Sequence, residues 1–269
     1  MKSNTLVFTV AAFACGSVMA QNYPYEFVSL APLKAKLTLS SDALTVISAS
    51  SSVIRAKSFN PADDARNQFQ LDYPKGEGTF ALTSTNTQGD RLVSATSAPS
   101  SLLFRRTTVL GDNVEDGLLR KSLFLSNFSF DLNTGTIASD WKLQTDIEKP
   151  SETNTTVTDL GRLALFQATL PVQGGKIVPS SDWNYPYYIY GTTSARFSDL
   201  QMPADSANVF LTSLGLSTAA DDPLASLART ATWGSLVIAV PEPSTYTLMG
   251  IGLLLVGSAI ARQRANHQV

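Results

Sequence analysis

A chain of 269 residues with 43% hydrophobic content is long enough to bury a sizeable core and is not a disordered segment. Charged residues make up only 16%, against roughly 25% in an average soluble domain, while Ser, Thr and Asn are plentiful, a balance that suits an exported β-protein. The 20 basic and 22 acidic residues form no basic stripe, so there is no electrostatic footprint for nucleic acid and no such partner is expected.

Residues 1–20 carry Lys2, an apolar run over 6–18 and small residues at Val18 and Ala20, the three parts of a secretory signal. Cleavage by signal peptidase is expected between Ala20 and Gln21. A lipoprotein-type signal at Cys15 is the alternative, although Ala12 stands where such signals want Leu. With the cut after Ala20 the mature chain holds no cysteine and forms no disulfide, so its stability comes from packing.

Strands are expected over residues 36–46, 78–84, 157–170, 187–197 and 233–240, separated by polar, Gly- or Pro-containing stretches. The clearest hairpin pairs residues 124–132, where Phe124, Ser126, Phe128, Phe130 and Leu132 alternate, with 136–143, carrying Ile137 and Trp141. Asn133, Thr134 and Gly135 supply its turn. Residues 148–156 read as a polar loop, and two short helices are expected late. One runs over 204–214 to a stop at Gly215, and the other is capped by Asp222 with Pro223 at its first position. The fold class is mainly β: an antiparallel β-sandwich or curled sheet with a few short helices, plus a C-terminal transmembrane helix.

At the C-terminal end Pro241, Glu242 and Pro243 precede an apolar segment at 246–261, followed by Arg262 and Arg264. Proline lacks the donor that a strand ladder needs, so the two prolines end any strand before them and keep the Glu extended. Sixteen residues make a helix of about 24 Å, short of the roughly 30 Å hydrocarbon core, which can span by local thinning and snorkelling of its flanks. The trailing arginines favour the cytoplasmic side and put the body outside.

In this segment the chain resembles the PEP-CTERM proteins, exported proteins of Gram-negative bacteria that make exopolysaccharide. The resemblance rests on Pro241, Glu242 and Pro243, the Gly- and Leu-rich span and the basic end, interrupted by Gln263. It implies recognition of Pro241, Glu242 and Pro243 by an exosortase, so that these residues serve another enzyme's site. The expected organisation is a signal peptide at 1–20, a β-rich extracytoplasmic body at 21–239, a sorting and anchor tail at 240–265 and a polar stub at 266–269.

The body is poor in catalytic parts. The single histidine is His267 and the single cysteine is Cys15, which removes Ser-His-Asp, Cys-His and Cys/His zinc chemistry from residues 21–240. No enzyme activity, metal or cofactor is expected. The acidic loop at 112–117 lacks an EF-hand pattern, because Val114 offers no ligand oxygen and Leu123 stands where a bidentate Glu is required, which leaves a solvated turn before the Phe124 strand or, less commonly, a looser calcium site. Aromatic residues Trp183, Tyr185 and Tyr187 share a face on an extended chain and suit stacking against a sugar ring. Packing within or along the edge of a Tyr-rich strand accounts for them equally. The function expected is that of an exported cell-surface or extracellular-matrix protein, structural or adhesive and associated with exopolysaccharide, held transiently in the inner membrane. A saccharide- or small-ligand-binding surface protein is the alternative, and a carboxylate-based hydrolase a more distant one.

Overall fold

The computed structural model describes residues 26–29, 33–179 and 188–239. Its strands, in chain order, are β1 Glu26–Ser29, β2 Lys34–Leu39, β3 Ser52–Arg55, β4 Gln70–Asp72, β5 Glu77–Gln88, β6 Arg91–Ser97 and β7 Ser101–Val109. After them come β8 Leu118–Asp131, β9 Thr136–Lys149, β10 Glu152–Ala168, β11 Gln173–Gly174, β12 Val178–Pro179, β13 Tyr188–Thr192, β14 Ser194–Gln201 and β15 Gly234–Ala239. The helices are α1 Ser41–Ala49, α2 Ala204–Ser213 and α3 Pro223–Thr230.

The expectation of a mainly antiparallel β-protein with a few short helices holds, and the curled sheet closes on itself. Its strand order runs β8-β6-β5-β2-β15-β14-β10-β9, and β9 pairs back onto β8. Every neighbour in this ring is antiparallel. Two seams are short: β6 meets β8 through Ser94, Ala95 and Thr96, and β10 meets β14 only through Gln167 and Ala168. Closure hides strand edges that would otherwise stay open. At the β15–β2 seam Gly234 has a φ of 132°, and a Cβ there would lie 1.9 Å from the Thr38 carbonyl oxygen, so only glycine lets the strands approach.

Inward-facing apolar residues meet across the strands, with Ala35 beside Phe80 and Ile238, Leu37 beside Leu236, and Phe130 between Ala95 and Ile137. These are all buried and belong to one core cluster. Phe80 packs on Phe69, Phe128 and Phe130 with ring centroids 4.5, 4.8 and 5.7 Å away. Side chains fill the interior: a gap beside Leu37, Phe69, Phe166 and Trp233 measures about 10 Å³, room for one water at most. The helices pack on the same core through Phe210 of α2, whose ring meets Phe104 at 5.2 Å and Trp233 at 5.7 Å.

Beyond the ring, the first half of β8 and the second half of β9 continue with β7, β3 and the first half of β10 as a projecting sheet. A β-bulge marks the change. The period-2 reading places Phe124, Ser126, Phe128, Phe130 and Leu132 on one face, but the structure divides them. Asn127 adopts a left-handed φ of 53°, and the β8–β9 register slips between Ser126 and Ser129. One extra residue flips the alternation. Phe128, Phe130 and Leu132 therefore point into the core, with Ile137 opposite Phe130, whereas Phe124 turns to the outer face against Phe59.

Two further expectations are corrected. Residues 36–46 are not one strand: Ser40 ends β2 and caps α1, its hydroxyl accepting from the Ala43 amide and donating to the Thr232 carbonyl. Asp42 sits in the first turn, where the helix dipole favours it, and Ala43, Val46 and Ile47 form the buried stripe. Residues 148–156 are not a loop but the tip of the β9–β10 hairpin, with Glu148 paired to Thr153 and Asp146 to Thr155. Strand 157–170 ends at Ala168, and 187–197 divides at Thr193 into β13 and β14. The late helices stand as read. Asp222 accepts from the Leu224 and Ala225 amides at 2.9 and 3.0 Å, and Gly215 follows α2 with a φ of 68°. Separately, β13 pairs parallel with β1 and antiparallel with β12 in a small three-stranded sheet.

Candidate functional site

A cleft of about 460 Å³ opens on the outer face, where the projecting sheet leaves the ring. One wall is the segment between β3 and β4. Asn60 caps a short 3-10 turn, Pro61–Arg66, its side-chain oxygen accepting from the Ala62 amide at 3.2 Å. Asp64 reaches back to the Ser58 amide at 2.6 Å. Asn67 clamps this segment to the start of β7: its oxygen accepts from the Phe69 and Ser101 amides at 3.1 and 2.9 Å, and its nitrogen donates to the Ser101 carbonyl at 2.9 Å. An asparagine side chain thus stands in for a missing strand.

The floor is Phe59. Its ring meets Phe124 edge-on at 5.4 Å and 89°, and the Lys142 ammonium lies 4.7 Å from its centroid. Phe124 and Lys142 are cross-strand partners on β8 and β9, so the bulge that turns Phe124 outward also places the lysine. A cation over an aromatic face is held by the ring quadrupole. Lys142 has no carboxylate within ion-pair distance among the described residues; its other cross-strand partner, Asp159, accepts instead from the Gly161 amide.

The far wall is built on the bulge. Asn127 donates to Asp140 at 2.8 Å, while Arg162 donates to Asp140 at 2.7 Å, to the Asn127 carbonyl at 3.0 Å and to Ser129 at 2.6 Å. Burial alone raises the Asp140 pKa, but the hydrogen bonds from Asn127 and Arg162 and the guanidinium charge outweigh it and hold the carboxyl below its ordinary range. Higher on the same face, Asp146 is buried and accepts from Gln144 and Thr155, and Arg120 pairs with Glu148. Burial first, then the neighbouring charges of Arg120 and Arg55, lower the Arg105 pKa against the support of Asp146 and Glu148.

What the cleft offers a ligand is mainly hydrogen-bond donors. Lys142, Arg66, Asn60 and the serines Ser58, Ser100, Ser101 and Ser126 line it, the Ser101 hydroxyl already donating to the Leu125 carbonyl. Ser100 is only 3% exposed, and its hydroxyl has no hydrogen-bond partner among the described residues. Asp63 is the single carboxylate in the lining and lies 3.8 Å from Arg66, so the cleft does not hold the carboxylate pair that glycoside hydrolysis requires. An aromatic floor with donor walls suits a hydroxylated ligand such as a saccharide.

Most residues singled out in the sequence lie outside the described residues: Ala20 and Gln21 at the cleavage point, Trp183, Tyr185 and Tyr187, Pro241, Glu242 and Pro243, and Arg262 and Arg264. The acidic loop at 112–117 is described. Asp116, exposed, accepts from the Asn113 amide at 3.0 Å, and no group of three metal-ligating side chains gathers among the described residues. Among those residues no helix is long and apolar enough to cross a membrane. Phe59 and Lys142 were not singled out. Asn60-Pro61 marks the turn locally, but nothing local marks the lysine 82 positions on that faces it.

No curated protein matches the chain. Among solved structures, the C-terminal domain of HtaA from Corynebacterium glutamicum aligns with 78% of this chain and 98% of that one, at 10% identity and a TM-score of 0.35, a likeness too slight to argue from. Residues 239–265 match the PEP-CTERM protein-sorting motif, beginning at the last residue of β15. The chain thus carries a PEP-CTERM sorting motif, which implies an exported protein marked for processing by an exosortase.

Proposed function

We propose that this protein is a non-enzymatic module of the cell surface or extracellular matrix, structural or adhesive, that associates with exopolysaccharide. The observation that carries this reading is the sorting motif abutting β15, so that the folded body ends where the tail begins. In this account signal peptidase cuts between Ala20 and Gln21, and residues 246–261 cross the inner membrane as a short helix flanked by Arg262 and Arg264. Exosortase then acts at Pro241, Glu242 and Pro243, which frees the body. The lack of histidine and cysteine over residues 21–240 and the single carboxylate in the cleft support a binding rather than a catalytic role.

Saccharide binding is the second reading, favoured by the Phe59 cleft, with its anchored ammonium and donor-rich walls. Trp183, Tyr185 and Tyr187 remain a separate candidate platform. The full chain in detergent micelles, passed over immobilised exopolysaccharide, tests both. Lys142→Gln should lower retention about tenfold with little change in melting temperature, the loss expected for one charge-assisted hydrogen bond. Retention unchanged in Lys142→Gln but abolished in Trp183→Ala would move the site to the aromatic run. No retention of the parent would sink the polysaccharide reading.

A further inference from the structure

The hairpin of β9 and β10 leaves one long strand edge bare. From Glu152 to Leu163 the side of β10 facing away from β9 has no strand partner among the described residues. Only at Ala164, whose carbonyl accepts from Ser206 at 2.6 Å, and at Gln167 and Ala168, paired with β14, is that side engaged. Residues 152–159 are exposed throughout. At about 3.4 Å per residue they offer roughly 27 Å of unpaired backbone.

Such an edge is a template for another strand, and proteins that must stay apart blunt it with lysine, proline or a bulge. This one is not blunted. Thr153, Thr155, Thr156, Val157 and Thr158 are β-branched, no residue of 152–159 is Lys, Pro or Gly, and the bulge comes only at Gly161. Val157 is 47% exposed on an otherwise polar strand.

We propose that β10 pairs antiparallel with β10 of a second copy of this chain, about a two-fold axis at Val157. The charge pattern selects this occupant and direction. Glu152 and Asp159 are the only charges on 152–159, and parallel in-register pairing would stack each acid on its own copy. The antiparallel two-fold instead sets Thr156 against Thr158, Thr155 against Asp159 and Val157 beside itself. Glu152 then runs toward Arg162, which lies past the bulge with a side chain 44% exposed. The interface is isologous and joins two projecting sheets into one. Because a strand edge buries little area, the dimer is weak and forms at high local concentration.

Sedimentation of the full chain in detergent micelles over a range of concentrations reads this directly. A monomer–dimer equilibrium is expected, and Val157→Lys should weaken it by about tenfold or more while leaving the melting temperature unchanged. Register is tested independently of that variant's stability. In a Cys15→Ser background, Val157→Cys should form a disulfide-linked dimer under mild oxidation and Thr153→Cys should not. A parent that stays monomeric at every concentration, a dimer indifferent to Val157→Lys, or equal cross-linking at positions 153 and 157 overturns the proposal.

Discussion

Replacing Pro241, Glu242 and Pro243 together by alanine is expected to leave the body folded and to strand the full-length protein in the inner membrane, with almost no processed form at the surface. The body is insulated from the change. Among the described residues the last buried side chain is Ile238, and β15 pairs with β2 and β14 as far as Ala239. Substitutions beyond the core shift stability by no more than about 0.5 kcal/mol, so the melting temperature of the body should hold. Sorting should not hold, because the extended, donor-poor backbone that proline imposes is lost along with the carboxylate. Deleting residues 246–261 should have the opposite consequence and release a soluble, unprocessed body into the periplasm. Fractionation and intact-mass measurement separate the two outcomes, and a triple-alanine protein trimmed like the parent would reduce the tail to a plain anchor.

The largest effects on the body itself are expected at its two fully buried tryptophans. Trp141 is 1% exposed on β9, and Trp233 is wholly buried between α2 and the strands. Alanine at either should cost about 3–5 kcal/mol, the lost transfer free energy plus the cavity left behind. Phenylalanine should separate them. The Trp233 indole nitrogen donates to the Ala228 carbonyl at 3.2 Å, near the end of α3, so its removal leaves that carbonyl unpaired. The Trp141 indole nitrogen is buried with no partner among the described residues, so its removal relieves a desolvated donor. Such a donor costs about 1–3 kcal/mol, and Trp233→Phe should therefore be the more destabilising change by about that much. Chemical denaturation of both variants measures the difference. Equal costs would mean that the Trp141 donor is satisfied after all.

How much of this was legible in the sequence follows from how local each signal is. Asp222-Pro223 and Gly215 act within a turn of the helices they start and stop, and both were readable. So was the hairpin around Gly135, where Asp131 accepts from the Asn133 and Thr134 amides to shape the turn. Ser40 was equally local but hidden. Leu37, Leu39 and Ala43 fit an alternating strand until the cap is recognised. The bulge at Asn127 had no local mark, because it exists to carry β8 from the projecting sheet into the ring, and that need arises only when the sheet closes. The cleft was illegible for the same reason. It draws Phe59, Ser100, Asn127 and Lys142 from four separate stretches, and a lone Phe or Lys in each reads as ordinary packing or solvation. The tail was the opposite case: a linear address, read by another enzyme, is fully written in its own residues.

The most direct test of the central claim is the intact mass of the protein recovered from the extracellular polysaccharide of the cells that make it. The account predicts a chain that begins at Gln21, lacks residues 246–261 and leaves the matrix when the polysaccharide is digested. A chain found only in the inner-membrane fraction with its tail intact, or a secreted one indifferent to digestion of the polysaccharide, would contradict it.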